Sequence, residues 1–570
     1  MRGDPSPRTM LAMDSQVSTQ RARDLADRYW QELIEIDPLL GTEAGEEHCD
    51  ERLADPSEAG RDRAADIHRR ALDDLAEIDR TALQAADRGT MDMLEAVARR
   101  GLAEVEHRLD RLYAASHFSG PVGTLGVVAS LQRTDTPELL DRYEARLRGF
   151  PAYLDAWADV ARDGIAAGVT SPRVVVERAI EQLERVLALD VASSPVMMPL
   201  PSGDTGAHDR IGAVVRDVVN PSLGRYLQVL HDVLPHATES VALSALPGGE
   251  ALYDSLILAW TTLPLDPRAV HELGLERFES IQQERQEIAG RLGYPDANEA
   301  LAAHAASGAN IASSPDTLVE LANAQIERGL QAAPAFFGRL PRAACEVRLV
   351  EAYHEEDMAF AFYWAPSGDG DRPGIYYVNG YDLPSRPLHL VASVTFHEAV
   401  PGHHFQLAIE QEMPDRPALR RFAGIRAGSA FTEGWGLYAE RLADEMGMYL
   451  DDWERLGMAD AQIHRAARLV TDTGLHALGW TREQAIATLE EGGVPHTDAV
   501  IEVDRYIAEP AQALSYMIGM IEIERARAAA KAAPGFVLRD FHDQVLGLGQ
   551  LPLPAFRREM GLDGGARDPE

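Results

Sequence analysis

Along the first half of the chain, apolar positions recur at three- and four-residue spacing with charged residues between them. Leu25, Tyr29, Leu33 and Ile36 open the pattern. That spacing lines one face of a helix, and it predicts helices from Thr19 to about Leu109. Gly120-Pro-Val-Gly123 interrupts the pattern, and helical periodicity resumes from Pro137 to about Gly168. Ser171-Pro172 reads as the N-cap and first helical residue of a helix through Leu187. A long helix is predicted from His208 to Leu234, and Asp266-Pro267 caps another that runs to about Leu292. Asn298 and Thr317 begin further helical segments, and the apolar run Tyr253 to Leu263 is placed to line a cleft. Residues 1–18, rich in Pro, Ser and Arg, are expected to be a disordered tail.

The pattern changes near Pro341. Glu346 to Glu351 alternates with period two, and Ala359–Trp364 and Gly374–Asn379 are aromatic and β-branched, with a turn-rich stretch between them. Three short strands, expected to be antiparallel, therefore precede a helix that starts near Arg386. From there the chain is helical to its end. The fold class is mainly α, a large helical fold with a small antiparallel sheet ahead of its histidine-bearing helix. Residues 19–340 are expected to form a helical domain covering a cleft, and 341–570 a catalytic domain. A single intertwined domain fits the pattern equally well.

Composition narrows the function. The formal charge of -37 argues against nucleic acid or an anionic membrane surface as partner, since both are polyanions. Two cysteines far apart, Cys49 and Cys345, suggest neither a disulfide framework nor a thiolate zinc site. Lys531 is the only lysine, and it follows no phosphate loop, so Schiff-base and Walker-type chemistry have no place to sit. Met1–Gln20 lacks the apolar run of a secretory signal. No window reaches the ~20 apolar residues of a membrane span. The expectation is a soluble cytoplasmic protein.

The chemistry concentrates in Phe396-His397-Glu398-Ala-Val-Pro401-Gly402-His403-His404-Phe-Gln406. The common zinc-peptidase helix places histidines at i and i+4 with a glutamate beside the first. Here the i+4 position from His397 is Pro401, which cannot bind metal. On a continuous helix, i+6 lies about 120° from the His397 face and i+7 within about 20°. His404 is then the better second ligand and His403 the runner-up. If the Pro-Gly bulge absorbs two residues instead of three, the order reverses. Glu398 is placed as general base, taking a proton from an activated water and returning it to the leaving amine. A catalytic zinc site uses three protein ligands. Glu433, in Ala430-Phe-Thr-Glu-Gly-Trp-Gly-Leu-Tyr-Ala-Glu440, is the best third ligand, because an unpaired carboxylate among small apolar residues is costly. Glu440, seven residues on and on the same face, is placed to orient a ligand histidine.

At these residues, at Asp369–Asn379, at Thr432–Glu440 and at Arg505–Tyr516, the chain resembles the DUF885 family of bacterial proteins. That family is similar in turn to the gluzincin metallopeptidases, including the helical angiotensin-converting-enzyme and oligopeptidase groups. The resemblance implies a zincin-like helical fold with a deep cleft, a Zn2+ cofactor and hydrolysis of peptide or amide bonds. It places the metal on His397, a histidine at 403 or 404, and Glu433, with Glu398 as base. It also implies a late-helix tyrosine that stabilises the oxyanion. Tyr516 matches that role, with Arg505 and Tyr506 as alternatives. Asp472 and His476, four residues apart, are read as an orienting pair or a substrate contact. Tyr376, Tyr377 and Asn379 are read as an edge strand that binds an extended substrate.

Together these features predict a zinc-dependent hydrolase of short peptides or small amides. A pathway-specific amidase and a non-catalytic zincin-like protein that binds a peptide or partner are the alternatives.

Overall fold

The structure is a computed structural model of the chain. It describes the backbone of residues 7–350, 355, 358–367, 370 and 372–562, and the side chains from Val17 onward. It is mainly helical, with one small three-stranded sheet. The first principal helix, α1 (Pro7–Ile36), begins inside the stretch expected to be a tail, with Pro7 at its start. Proline suits that position, because its missing N–H would have no helical partner there. Residues 1–6 of that tail lie outside the described residues.

Helices α1, α2 (Glu58–Ala76) and α3 (Ala85–Glu106) pack around Leu25, Tyr29, Trp30, Ile67 and Leu94, and Leu419 and Ala423 from the second half of the chain join them. A second core gathers α4 (Pro137–Ala167), α5 (Arg173–Ala188) and α6 (Asn220–Val233). Pro172 stands at the N-cap of α5, one residue off the predicted place. The Ser171 hydroxyl is committed to the Leu112 carbonyl instead. The predicted cap at Asp266 is present, its carboxylate accepting from the N–H groups of Arg268 and Ala269 at 3.0 and 2.9 Å.

The largest core does not stop at residue 340. It joins α7 (Gly249–Thr261), α8 (Pro267–Leu292) and α9 (Pro315–Phe336) to the helices that follow the sheet. Those are α10 (Leu388–Glu398), α11 (His403–Gln411), α12 (Ala430–Glu445), α13 (Asp452–His476) and α15 (Ser515–Ala532), while α14 (His496–Ala508) packs in a smaller core with Val175, Leu475 and Leu489. Helices α8 and α13 approach closely at Gly274, where an added Cβ would come within 2.8 Å of Leu469 Cβ. The packing is therefore continuous across the expected domain boundary.

The sheet corrects the expected topology. Strands β1 (Cys345–Leu349), β2 (Ala361–Trp364) and β3 (Gly374–Val378) lie in the order β1–β3–β2. β2 pairs antiparallel with β3, but β1 pairs parallel to it, Cys345 opposite Gly374 and Leu349 opposite Val378. The cause is visible in the burial. β3 is apolar on both faces and buried along its whole length, so it takes the centre, while β1 turns Glu346 and Arg348 to solvent and takes an edge.

Candidate metal centre

The centre begins at a helix break. α10 ends at Glu398 because Pro401 supplies no N–H and its ring would collide with the preceding turn. The chain then folds back tightly. A Cβ on Gly402 would lie 1.8 Å from the His397 carbonyl oxygen, so only glycine fits there. The Trp435 indole N–H donates to the Pro401 carbonyl at 2.9 Å and holds the break against α12. α11 restarts at His403, whose ring lies edge-on to His397 with 4.6 Å between centroids.

This geometry corrects the expected order of the two histidines. His404 faces away from His397. Its Nδ1 lies 2.8 Å from the Tyr363 hydroxyl and its Nε2 3.1 Å from the Ala343 carbonyl, so both ring nitrogens are used. The expected order assumed that helical phase persists past Pro401. The break resets that phase.

His397 Nε2 and His403 Nε2 stand 3.5 and 3.4 Å from Glu433 Oε2, and the three atoms lie within 4.8 Å of one another. Ligand atoms about 2.0–2.1 Å from a tetrahedral zinc ion are about 3.4 Å apart. Glu433 Oε2 is buried and has no hydrogen-bond partner among the described residues. A lone carboxylate oxygen aimed at two imidazole nitrogens is a costly arrangement unless a proton or a metal cation sits between them, and the donor set, two imidazoles and a carboxylate, suits zinc.

The supporting shell is also in place. Glu440 Oε1 lies 2.8 Å from His397 Nδ1, while its Oε2 accepts from Gln462 at 2.9 Å and Ser393 at 3.2 Å. Burial pushes the His397 imidazole down, but Glu433 and Glu440 outweigh it and raise its pKa to about 9. Burial likewise favours the neutral form of Glu433, yet His397 and His403 hold it well below the usual carboxylate range. Two glycines make room for this cluster. A Cβ on Gly436 would meet both His397 and His403 within 2.9 Å, and one on Gly434 would meet the Gly519 backbone at 2.3 Å. The second contact lets α12 and α15 cross closely enough to bring Tyr516 beside His397, ring centroids 6.2 Å apart.

A cavity of about 220 Å³ opens on the cluster. His397, Glu398, His403, Glu433, Arg505 and Tyr516 all line it. Other expected residues are elsewhere. Tyr506 is buried, its hydroxyl 2.7 Å from Glu502, and does not line the cavity. His476 Nε2 faces the Tyr506 carbonyl at 3.0 Å and its Nδ1 accepts from the Leu243 N–H. Asp472 accepts from the Tyr253 hydroxyl and the Ala511 N–H. The expected Asp472–His476 pair is not formed, because Tyr253 and Ala511 take the carboxylate and the backbone of Tyr506 and Leu243 takes the imidazole.

Tyr376, Tyr377 and Asn379 do not form a free edge, since β3 is central and paired on both sides. The Tyr376 hydroxyl meets Thr395 at 3.3 Å, and Tyr377 stacks on Phe362. The Asn379 amide donates to the carbonyls of Glu355, Met358 and Ala359, anchoring the segment that carries Met358 and Ala359 to the cavity. His117, Phe118 and Arg178 line the cavity from the first half of the chain and were not anticipated. No local signal marks them, because they meet the centre only through tertiary packing.

The family described as bacterial protein of unknown function (DUF885) matches residues 38–560. A crystal structure from Colwellia psychrerythraea, of a protein provisionally described as a lipoprotein, is similar at 27% identity and a TM-score of 0.88, covering 96% of this chain and 100% of that one. A solved structure from Shewanella oneidensis, of a protein provisionally described as a lipoprotein of unknown function, shares the fold at 19% identity and a TM-score of 0.71, covering 94% of this chain and 98% of that one. No curated protein matches the chain.

Proposed function

The chain belongs to the DUF885 family, and for it we propose a zinc-dependent hydrolase of peptide or amide bonds in small substrates, built on a zincin-like fold of the gluzincin type. The observation that carries this reading is the convergence of His397 Nε2, His403 Nε2 and Glu433 Oε2 within 4.8 Å on a cavity that Glu398 also lines. Zinc held by those three residues would supply a Lewis acid that polarises a water or carbonyl oxygen.

The chain's own residues supply the rest. Glu398 accepts the proton of the attacking water on its carboxylate and passes it to the leaving nitrogen. The Tyr516 hydroxyl donates to the substrate oxygen as negative charge develops there. Burial, with the Glu433 charge nearby, raises the Tyr516 pKa and keeps that proton in place. Glu440 fixes the ring of His397. The small size of the cavity, about 220 Å³, supports short peptides and small amides over folded proteins.

Metal analysis of protein purified without added metal should give close to one zinc per chain. Glu398→Gln should keep that zinc and lower turnover of a peptide and amide library about 10²–10⁴-fold. No zinc uptake, even from added zinc, would sink the reading. Zinc without turnover by the unaltered protein would favour a non-catalytic binding role. Among the described residues no helix is long and apolar enough to cross a membrane. On sequence grounds we propose a cytoplasmic location, which fractionation of cells expressing the tagged chain tests against the lipoprotein descriptions of its structural neighbours.

A further inference from the structure

The cavity has a second wall, on α14, and its charge does not balance. Glu502, 4% exposed, uses one oxygen to accept from Arg468 at 2.7 Å, Arg505 at 3.1 Å and the Tyr506 hydroxyl at 2.7 Å. Asp504, 1% exposed, holds Arg178 through Nε and a terminal nitrogen at 3.0 and 2.9 Å, and Arg482 as well. Four guanidinium groups thus share two carboxylates, which leaves two positive charges over.

Two other acids interact with Arg505 but spend their hydrogen bonds elsewhere: Glu509 accepts from Ser119, and Asp472 from the Tyr253 hydroxyl and the Ala511 N–H. Neither forms an ion pair with Arg505 among the described residues. Arg505 Nε and one terminal nitrogen of Arg468 are buried and have no hydrogen-bond partner among those residues.

In a chain of net charge -37, this excess is not the overflow of a basic surface. Arg178 and Arg482 reach solvent in part, but Arg468 is buried and Arg505 nearly so, and the charge left over beside Glu502 is costly without a further anionic partner. Arg178 and Arg505 both line the cavity that holds the His397–His403–Glu433 cluster and Glu398. Phe118, Met358, Phe362 and Ile501 add an apolar lining to the same cavity. Guanidinium groups match a carboxylate by paired N–H donors, a geometry that an ammonium group cannot supply.

We infer that the substrate carries a free carboxylate, bound by Arg505 with Arg178 and Arg468 contributing charge, and that an apolar side chain lies between this carboxylate and the bond that is cut. Short peptides and N-acyl amino acids with an unblocked carboxyl end have this chemistry. The inference rests on the hydrolase reading for which bond is cut, but the carboxylate site can be tested without turnover.

The test is calorimetric titration of zinc-loaded Glu398→Gln protein with N-benzoylglycylphenylalanine and with its C-terminal carboxamide. The free acid should bind about tenfold tighter or better. Arg505→Gln, added to the same background, should bring the two affinities together, and Arg505→Lys should restore part of the gap. A thermal melt of each variant confirms that it is folded. Equal affinities in the parent protein, or no binding of either compound, would overturn the inference with no further variant needed. In the unaltered enzyme, equal turnover of acid and carboxamide would also overturn it while leaving the hydrolase reading intact. Tighter binding of the acid with turnover of neither compound would do the opposite, supporting the carboxylate site and counting against hydrolysis.

Discussion

Helix α10 carries two buried histidines beside carboxylates, and only one of them lines the cavity. His389 is closed. Its Nε2 lies 2.8 Å from Asp460, its Nδ1 meets the Asn310 amide, and Asp460 also takes a 2.6 Å bond from the buried Arg285. His397, two turns on, has one ring nitrogen held by Glu440, while the other faces Glu433 Oε2, an acceptor with no donor of its own. Each cluster pairs an imidazole with a carboxylate, but Asp460 has the Arg285 guanidinium as donor, whereas Glu433 Oε2 has no hydrogen-bond donor among the described residues. Where each acceptor has its own donor, the cluster stabilises the fold. Where acceptors converge on one point, the cluster is ready for a cation.

The sharpest way to break this comparison is to remove one carboxylate from each cluster. Glu433→Ala should lower zinc affinity by more than the ~10–100-fold expected for loss of an outer partner, with the fold kept. Asp460→Ala should leave zinc affinity unchanged and cost about 3–5 kcal/mol by stranding buried Arg285. Metal competition and urea melts read the two effects, and equal losses of zinc in both variants would erase the distinction.

A smaller effect is expected at Glu440. Glu440→Gln should weaken zinc binding ~10–100-fold by loosening His397. An unchanged affinity would mean that the ring is oriented by packing alone.

Next in size is a pH dependence confined to the metal-free protein. The folded His397 pKa is about 9 against an ordinary 6.5. A raised folded pKa gives stability that is fully present below 6.5 and is lost as pH rises through 9. Melting temperature in chelator should therefore fall across that window. Zinc takes the place of the proton, so the loaded protein should lose this fall. A flat metal-free profile would show that His397 is neutral throughout.

The smallest change separates the adjacent histidines. His404→Ala should keep one zinc per chain and cost about 1–3 kcal/mol, since it strips partners from Tyr363 and the Ala343 carbonyl. His403→Ala should lose zinc. The reverse pattern would restore His404 as the ligand.

The sequence alone determined whatever depends on one continuous helix. The apolar spacing marked the helices. The adjacency of His397 and Glu398 marked the centre. The seven-residue interval from Glu433 to Glu440 put both carboxylates on one face of α12, where they reach the two nitrogens of the same imidazole. Tertiary structure alone decided the rest. His403, not His404, came to stand beside His397 and Glu433 because helical phase does not carry through Pro401 and Gly402. β3 took the centre of the sheet because strand order follows burial on both faces and not order along the chain. Arg178 reached the cavity because α5 packs against α14, joined by the Arg178–Asp504 pair. Local spacing fixes direction within an element. Where separate elements meet is set by long-range packing, which leaves no local periodic signal in the sequence.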